Sequence, residues 1–363
     1  MIAVVRRICG LHAQLMSSAE LSVWARVEAL DRQAVSYALW QERTLVKTWA
    51  MRGTLHVLPV EDLPLWYAAL GTSRRYRRPA IWKRLLGITL EEADRLTDAI
   101  GSVLHDRLMT REELVQEVGR RTGSAAFAAK LALNGWGTVL KPAAFSGRLC
   151  FAPSVGQRVR FTRPDTWLAM EAPPLDAKPA LADLTRRFLG AYGPATHHDF
   201  ARWWGGSSVA SVRQWIASLG DEAAAIEVEG TKAWMLAEHA REACELPRGR
   251  SVSLLPAFDP YVIGASRHAE NLLPGDLRSR VYRPQGWVSP VLLVNGLMAG
   301  TWRHEIKGSL VEVRIEPFEK VPAWVRRAAR SEAEHLAAYL GGKLNLVWES
   351  SFDAETPRRG GRR

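Results

Sequence analysis

Two polar side chains near the N-terminus, His12 and Gln14, have the types and the spacing for hydrolytic chemistry. A neutral imidazole can accept a proton from water near neutral pH, and a carboxamide oxygen can hold a water molecule. Residues two apart share a face only where the backbone is extended. An extended connection would therefore let His12 and Gln14 act on one substrate atom, whereas the alternative is a structural or capping role for His12.

The composition indicates a polyanionic partner. The 363 residues include 49 Lys and Arg against 38 Asp and Glu, which gives a formal net charge of +11. Such a balance favours nucleic acid ahead of an anionic membrane, although a basic surface can also have no partner. No apolar stretch approaches the roughly 20 residues of a membrane span, and the N-terminus lacks a signal peptide, so we expect a cytoplasmic protein.

The cysteine and histidine spacing predicts no metal site and no other cofactor. The three cysteines lie far apart in sequence, and neither a CxxC nor an HExxH motif is present. We therefore expect chemistry that is performed by side chains and water alone.

A pattern of helical periodicity followed by two short strands occurs three times along the chain. It predicts an α+β fold with three tandem winged-helix units. Alternating apolar segments after residue 250 predict a small C-terminal antiparallel sheet or barrel, of which we take the β-barrel as the prediction. The predicted domains are winged-helix unit 1 with a helical appendix (1–88), winged-helix unit 2 (89–170), winged-helix unit 3 (178–240), the β-barrel (250–350) and a disordered basic tail (353–363).

Local signals predict several element boundaries within these domains. Helices are expected near 3–14 and 18–29, the second beginning with a capping box formed by Ser17 and Glu20. Caps are also expected at Thr110 and Thr196, a helix over 134–145, and a hairpin at Asn295-Gly296. The segment from 322 to 339 is expected to return to helix.

A basic run after residue 73 is the strongest candidate for phosphate contacts. Such a segment can pair with phosphates and stack on bases, whereas the alternative is a solvated helix face. The run consists of six cations, Arg74, Arg75, Arg77, Arg78, Lys83 and Arg84, interleaved with the aromatic residues Tyr76 and Trp82.

Four further positions have competing interpretations. Arg52 lies in a predicted hairpin turn, where it could contact a phosphate or only support the fold. His56, two residues beyond Thr54 on a strand, is interpreted as structural. Asp259 and Trp302 could face a groove, although Asp-Pro pairs also begin turns readily.

Five sequence segments, taken together, resemble the AlkZ/YcaQ-like DNA glycosylases. They span most of the chain in order and are residues 10–14 (GLHAQ), 18–26 (SAELSVWAR), 47–56 (KTWAMRGTLH), 254–261 (LLPAFDPY) and 300–303 (GTWR). The resemblance implies three winged-helix units and a β-barrel around a concave, basic DNA channel. It also implies excision of bulky N7-alkylated purines in bacteria that make or meet genotoxic natural products.

The catalytic motif departs from the main pattern of that family. The family pair reads Gln-Φ-Gln, or Gln-Φ-Asp in the YcaQ branch, where Φ is aliphatic, and this chain has His12-Ala13-Gln14. It is similar to a His-Φ-Gln subgroup associated with monoadducts of intercalating alkylators. The resemblance therefore implies a monofunctional glycosylase that acts on double-stranded DNA with alkylated purines, with His12 and Gln14 as its catalytic residues. We expect no obligate protein partner and a monomer.

Two other functions fit part of the sequence. A non-enzymatic winged-helix regulator, or a protein that sequesters drug-modified DNA, would have the same composition and repeats, but it would need a dimer surface and base-reading side chains. A nuclease is disfavoured because the sequence lacks a clustered carboxylate metal site.

Overall fold

The computed structural model describes residues 1–72, 79–133, 137–170, 175–243, 249–265, 270 and 272–349. They belong to two compact units. Unit 1 comprises Met1–Gln14 and Gln33–Cys244, and unit 2 comprises Leu15–Arg32 and Glu245–Arg363. The chain therefore first passes from unit 1 to unit 2 directly after Gln14. The predicted tail over 353–363 lies outside the described residues.

Helices and strands are mixed along the chain, as an α+β fold requires. The α-helices are α1 (Ile2–Arg7), α2 (Met16–Trp24), α3 (Ala34–Trp40), α4 (Leu63–Gly71), α5 (Pro79–Leu86), α6 (Leu90–Val103), α7 (Arg111–Thr122), α8 (Ala125–Leu133), α9 (Lys141–Phe145), α10 (Pro164–Trp167), α11 (Ala177–Tyr192), α12 (His197–Trp204), α13 (Val209–Ala217), α14 (Ala237–Ala243), α15 (Pro260–Gly264), α16 (Arg278–Val281) and α17 (Ala323–Tyr339). The β-strands are β1 (Leu11–His12), β2 (Leu45–Trp49), β3 (Leu55–Pro59), β4 (Met109–Thr110), β5 (Cys150–Val155), β6 (Arg158–Thr162), β7 (Ala223–Val228), β8 (Thr231–Leu236), β9 (Val252–Leu255), β10 (Val291–Val294), β11 (Leu297–Lys307), β12 (Leu310–Pro317) and β13 (Lys343–Trp348). Across the described part of the chain, every helix falls short of the length and apolarity that a bilayer crossing needs.

The first sheet of unit 1 has the order β1-β3-β2 and replaces part of a predicted helix. The helix expected near 3–14 ends at Arg7, because Cys9 and Gly10 adopt left-handed backbone angles with φ of 58° and 91°. A Cβ on Gly10 would lie 2.4 Å from the Leu58 side chain, so only glycine fits against β3. This break turns the chain into β1 and brings His12 onto the sheet.

The helix expected near 18–29 is α2, but its predicted capping box is wrong. The helix begins at Met16 with Leu15 at the N-cap, and no side chain caps it. Its apolar face packs in unit 2, where Leu21 joins a core with Leu254 and Val313. Residues 15–32 therefore pack with the C-terminal sheet rather than with the remainder of the predicted unit over 1–88.

The middle of unit 1 runs from α6 to β6. Thr110 caps α7 through a reciprocal capping box with Glu113, which confirms the predicted cap. The helix predicted over 134–145 is wrong in extent, because only α9 is helical there among the described residues, and α8 precedes it. Strands β4, β6 and β5 then form a three-stranded sheet.

The last part of unit 1 contains α11, α12, α13 and the β7–β8 hairpin. The predicted cap at Thr196 is confirmed, since Thr196 and Asp199 bond reciprocally at the start of α12. The aromatic side chains of this part join the core of unit 1, where the Trp66 and Trp204 rings stack 6.4 Å apart. The order of three helices and a hairpin fits the winged-helix interpretation, which stays a prediction.

Unit 2 contains an open mixed sheet with the order β13-β12-β11-β10-β9, so the predicted antiparallel β-barrel is wrong among the described residues. Strands β12 and β13 are parallel because α17 connects them as a crossover, which carries the chain back to the start of the sheet. The turn between β10 and β11 is the predicted one, with φ of 50° at Asn295 and 83° at Gly296. Helix α17 covers one face of the sheet, as Leu336 and Ala333 belong to the same buried core as Val313.

Candidate active site

His12 lies on β1, where the sheet rather than a helix positions it. The strand pairs with β3 so that His12 stands directly opposite His56, and the next N–H, from Ala13, donates to the Leu55 carbonyl at 2.8 Å. The backbone is therefore extended through Ala13, as a shared action of His12 and Gln14 would require. The His12 side chain is mostly buried, with 7% of the residue exposed, whereas Gln14 is exposed in the bend that follows.

His56 is the residue whose relation to the site the sequence did not reveal. Its ring lies edge-on to the His12 ring, with centroids 5.6 Å apart and an interplanar angle of 82°. On the other side of β3, His56 stands opposite Thr48 of β2. Directly opposed residues of neighbouring strands share a face of the sheet, so His12, His56 and Thr48 form one row.

Arg52 lies in the turn between β2 and β3, as predicted, but its guanidinium contacts protein groups. One Nη donates to the Trp203 carbonyl of α12, and the other lies 3.2 Å from Nε2 of His56. The residue has a left-handed φ of 59°, and Gly205 packs against it. These contacts fit the fold-supporting alternative for Arg52 better than a phosphate contact at a hairpin tip.

The His12 imidazole has a pKa well below the usual value for histidine. Burial first, and then the Arg52 charge, lowers the pKa of the His12 imidazole from 6.5 to about 3. The pKa of His56 also lies well below 6.5, chiefly because of burial and then because of the Arg52 and His12 charges. Both rings are therefore neutral throughout the physiological range. His12 can accept a hydrogen bond from water, but it is a weaker base than an ordinary histidine.

The lowered pKa of His12 predicts a loss of stability in acid. Below pH 6.5 the unfolded chain binds a proton that folded His12 does not, so the free energy of unfolding falls as the pH drops from 6.5 toward about 3. Each such histidine contributes at most about 1.4 kcal/mol per pH unit to this slope. Denaturant unfolding between pH 4.5 and 6.5 should give a shallower slope for His12→Ala than for the wild type. Equal slopes for His12→Ala and the wild type would contradict the prediction.

The predicted basic run is only partly described. Arg74, Arg75, Arg77 and Arg78 lie outside the described residues, as does Tyr76. Lys83 and Arg84 lie exposed on α5, where phosphate contacts are sterically open to them. Trp82 is 2% exposed and belongs to the core of unit 1, so it does not have the free face that base stacking needs.

The segments around Asp259 and Trp302 are structural in unit 2. Asp259 is fully buried, accepts bonds of 2.8 and 2.7 Å from Arg26, and caps α15 through the Tyr261 N–H. Trp302 is 4% exposed and donates its indole N–H to the Leu255 carbonyl at 2.8 Å. The groove-facing alternative is therefore wrong for both residues.

Comparison with known proteins identifies the family and a protein of similar fold. A family model described as DNA glycosylase AlkZ-like matches residues 5–339. An interstrand DNA cross-link repair glycosylase of Streptomyces sahachiroi is 36% identical over 345 residues, covering 93% of this chain and 90% of that protein. The solved structure of Streptomyces sahachiroi DNA glycosylase AlkZ superposes with a TM-score of 0.86 at 34% identity, covering 96% of this chain and 93% of that one. This chain belongs to the AlkZ-like DNA glycosylase family and is a DNA glycosylase.

Proposed function

We propose that this glycosylase hydrolyses the N-glycosidic bond of bulky, cationic N7-alkylguanine adducts, in particular monoadducts of intercalating natural-product alkylators. The observation that carries the proposal is a neutral imidazole on β1 followed, two residues later, by an exposed carboxamide. The relative from Streptomyces sahachiroi is named for interstrand cross-link repair. The proposed physiological role is DNA repair and self-resistance in the bacterial cytoplasm, with the protein acting as a monomer.

A cationic lesion requires only a weak general base, such as His12. Alkylation at N7 places a positive charge on guanine, so the base leaves readily and the transition state resembles an oxocarbenium ion. Such a reaction needs a positioned water more than a strong base, because bond breaking runs ahead of attack. A histidine with a pKa of about 3 can orient that water through its lone pair.

We assign His12 to hold the attacking water and accept its proton late in the reaction. Gln14 would fix the same water, or dock the sugar, through its carboxamide. Little activity is expected on undamaged bases, because a neutral purine would need protonation that neither side chain supplies.

The assay that tests the proposal follows base release from defined duplexes. One duplex carries a bulky N7-alkylguanine monoadduct, a second carries an N7-linked interstrand crosslink, and a third is unmodified. We expect release of the alkylated base and an abasic site from the first, and no release from the third. Release from the crosslink alone would overturn the monoadduct assignment. Tight binding with no release from any duplex would instead favour sequestration of drug-modified DNA.

The exposed cations of α5 are proposed as phosphate contacts, together with Arg74, Arg75, Arg77 and Arg78. Each phosphate contact contributes about 0.9 to the slope of log binding constant against log salt concentration. The double variant Lys83→Ala/Arg84→Ala should therefore bind DNA more weakly and lower that slope by about 1.8. Binding isotherms over a range of salt concentrations measure both the affinity and the salt slope.

A charge-matched control separates contact from net charge. Arg120 and Arg186 are engaged in ion pairs with Glu117 and Glu222 on the surface of unit 1. The double variant Arg120→Ala/Arg186→Ala removes the same two charges and should leave the salt slope nearly unchanged. Equal changes in both double variants would mean that Lys83 and Arg84 act only through the overall charge.

A further inference from the structure

We propose that Arg52 and His56 are positioning residues for His12, forming a chain of contacts that begins at α12 and ends at the His12 ring. The inference rests on the proposed function, since it takes His12 as the residue that holds water. It assigns Arg52 a role in catalysis through protein contacts instead of a role in binding phosphate.

The first step is the fixation of Arg52. Its backbone is held in the left-handed region, with φ of 59°, where a residue other than glycine is strained. A Cβ on Gly205 would lie 2.7 Å from the Cα of Arg52, so α12 ends in direct contact with this turn. The guanidinium also donates to the Trp203 carbonyl. Arg52 is therefore held at both its backbone and its side chain.

The second step is the fixation of the His56 ring. Nδ1 of His56 lies 3.0 Å from the Thr54 carbonyl, which can only accept, so Nδ1 carries the proton. Nε2 then has a free lone pair, and it receives the Arg52 guanidinium at 3.2 Å. Two hydrogen bonds at opposite edges define both the tautomer and the orientation of this ring, which is 1% exposed.

The third step connects His56 to His12. The two residues are register partners on β3 and β1, and their rings meet edge to face at 5.6 Å. An edge-to-face contact restricts rotation of the His12 ring, because turning it would drive its atoms into the fixed His56 ring. A misplacement of about 1 Å in a catalytic group can lower a rate about 10²-fold.

The charge of Arg52 also acts on His12, by keeping its ring neutral. It lowers the pKa of both histidines in addition to the effect of burial, and the opposed residue of β2 is the uncharged Thr48. The arginine therefore favours the neutral form of His12. A residue that only filled space would leave the His12 titration unchanged.

The test compares three variants with a matched control. Arg52→Gln removes the charge, Arg52→Lys keeps the charge but loses the planar fork, and His56→Phe keeps a ring beside His12 without an acceptor for Arg52. The control is Arg43→Gln, because Arg43 also has a left-handed φ, of 56°, and donates to a tryptophan carbonyl, that of Trp167.

The first readout is the pH titration of the His12 imidazole by NMR in the free protein, with the resonance assigned by its loss in His12→Ala. Arg52→Gln should raise the His12 midpoint toward 6.5, Arg52→Lys should leave it low, and Arg43→Gln should not move it. This readout needs no DNA, so it remains decisive even if His12→Ala proves fully active and the proposed function fails.

The second readout is single-turnover excision with enzyme in excess, measured beside DNA affinity and its salt slope. Arg52→Gln and His56→Phe should slow excision about 10- to 100-fold, with Arg52→Lys less affected and affinity changed less than about twofold. A salt slope reduced by about 0.9 with an unchanged rate would make Arg52 a phosphate contact. Effects no larger than those of Arg43→Gln on rate and titration would overturn the inference. Should Arg52→Gln fail to fold, the excision rate of His56→Phe against that of Arg43→Gln carries the comparison.

Discussion

Replacing His12 by alanine is expected to slow release of an N7-alkylguanine base about 10²-fold under single-turnover conditions. General-base assistance is typically worth about 10²–10⁴-fold, and the lower end applies because the pKa of His12 is lowered to about 3. DNA affinity should change little, since only 7% of His12 is exposed. Quenched time courses with enzyme in excess measure the rate, and fluorescence anisotropy measures the affinity.

The control for this variant is His198→Ala, which removes an exposed histidine from α12 and should excise at the wild-type rate. An unchanged rate in His12→Ala would remove this residue from the mechanism. A loss of rate that follows a matching loss of affinity would assign it to binding instead.

The lowered pKa of His12 also predicts how the excision rate depends on pH. With a pKa of about 3 in the free protein, His12 stays neutral between pH 5.5 and 7.5, so its protonation should not slow the reaction in that range. Single-turnover rates across these pH values should vary little in the wild type. An acid limb with a midpoint near 6.5 would mean that the active histidine titrates like an exposed one, and the buried geometry would then not be the reacting one.

The elements that the sequence predicted are those with a local physical cause. Thr110 and Thr196 cap their helices because each is followed three residues later by a carboxylate that accepts from the backbone N–H of the threonine. Four consecutive residues are therefore enough to predict each cap. The Asn295-Gly296 hairpin is likewise local, since both residues tolerate the positive φ of its turn. The chemistry of His12 and Gln14 and their family motif indicate a catalytic role, and this assignment stays a prediction.

The sequence failed where distant residues decide the structure. Strand β1 exists because Gly10 turns the chain onto β3, some 45 residues further along the sequence, and helical periodicity gives no sign of that pairing. His56 could therefore be recognised as buried but not as a neighbour of His12. Strand β13 was missed for the same reason, since its parallel pairing with β12 depends on the crossover through α17.

The proposed catalytic motif and the other segments that resemble the family thus have different structural surroundings. The segment from 47 to 56 supplies Arg52 and His56 beside His12, all within unit 1. The segments from 18 to 26 and from 254 to 261 meet in unit 2 through Arg26 and Asp259. A motif shared with a family of enzymes can therefore contribute to the stability of the fold.

The largest expected effect on stability comes from Asp259→Ala. This carboxylate is fully buried and accepts two hydrogen bonds from Arg26, whose side chain is 20% exposed. Removing one partner of a buried pair leaves the other charge uncompensated, which typically lowers the free energy of unfolding by about 3–5 kcal/mol. The substitution also removes the N-cap of α15, which accepts from the Tyr261 N–H, and so lowers the stability further. Denaturant unfolding monitored by tryptophan fluorescence measures the change.

Two comparisons make the Asp259 prediction specific to a buried pair. Arg303→Ala breaks a surface ion pair with Glu349, in which the arginine side chain is 63% exposed, and should change the free energy of unfolding by only about 0–1 kcal/mol. The double variant Arg26→Met/Asp259→Leu should recover much of the stability lost in Asp259→Ala, because neither charge is then left buried without a partner. At a temperature where Asp259→Ala is folded, its single-turnover excision rate should match the wild type. A folded Asp259→Ala protein of normal stability that no longer excises would place this carboxylate in the reaction rather than in the core.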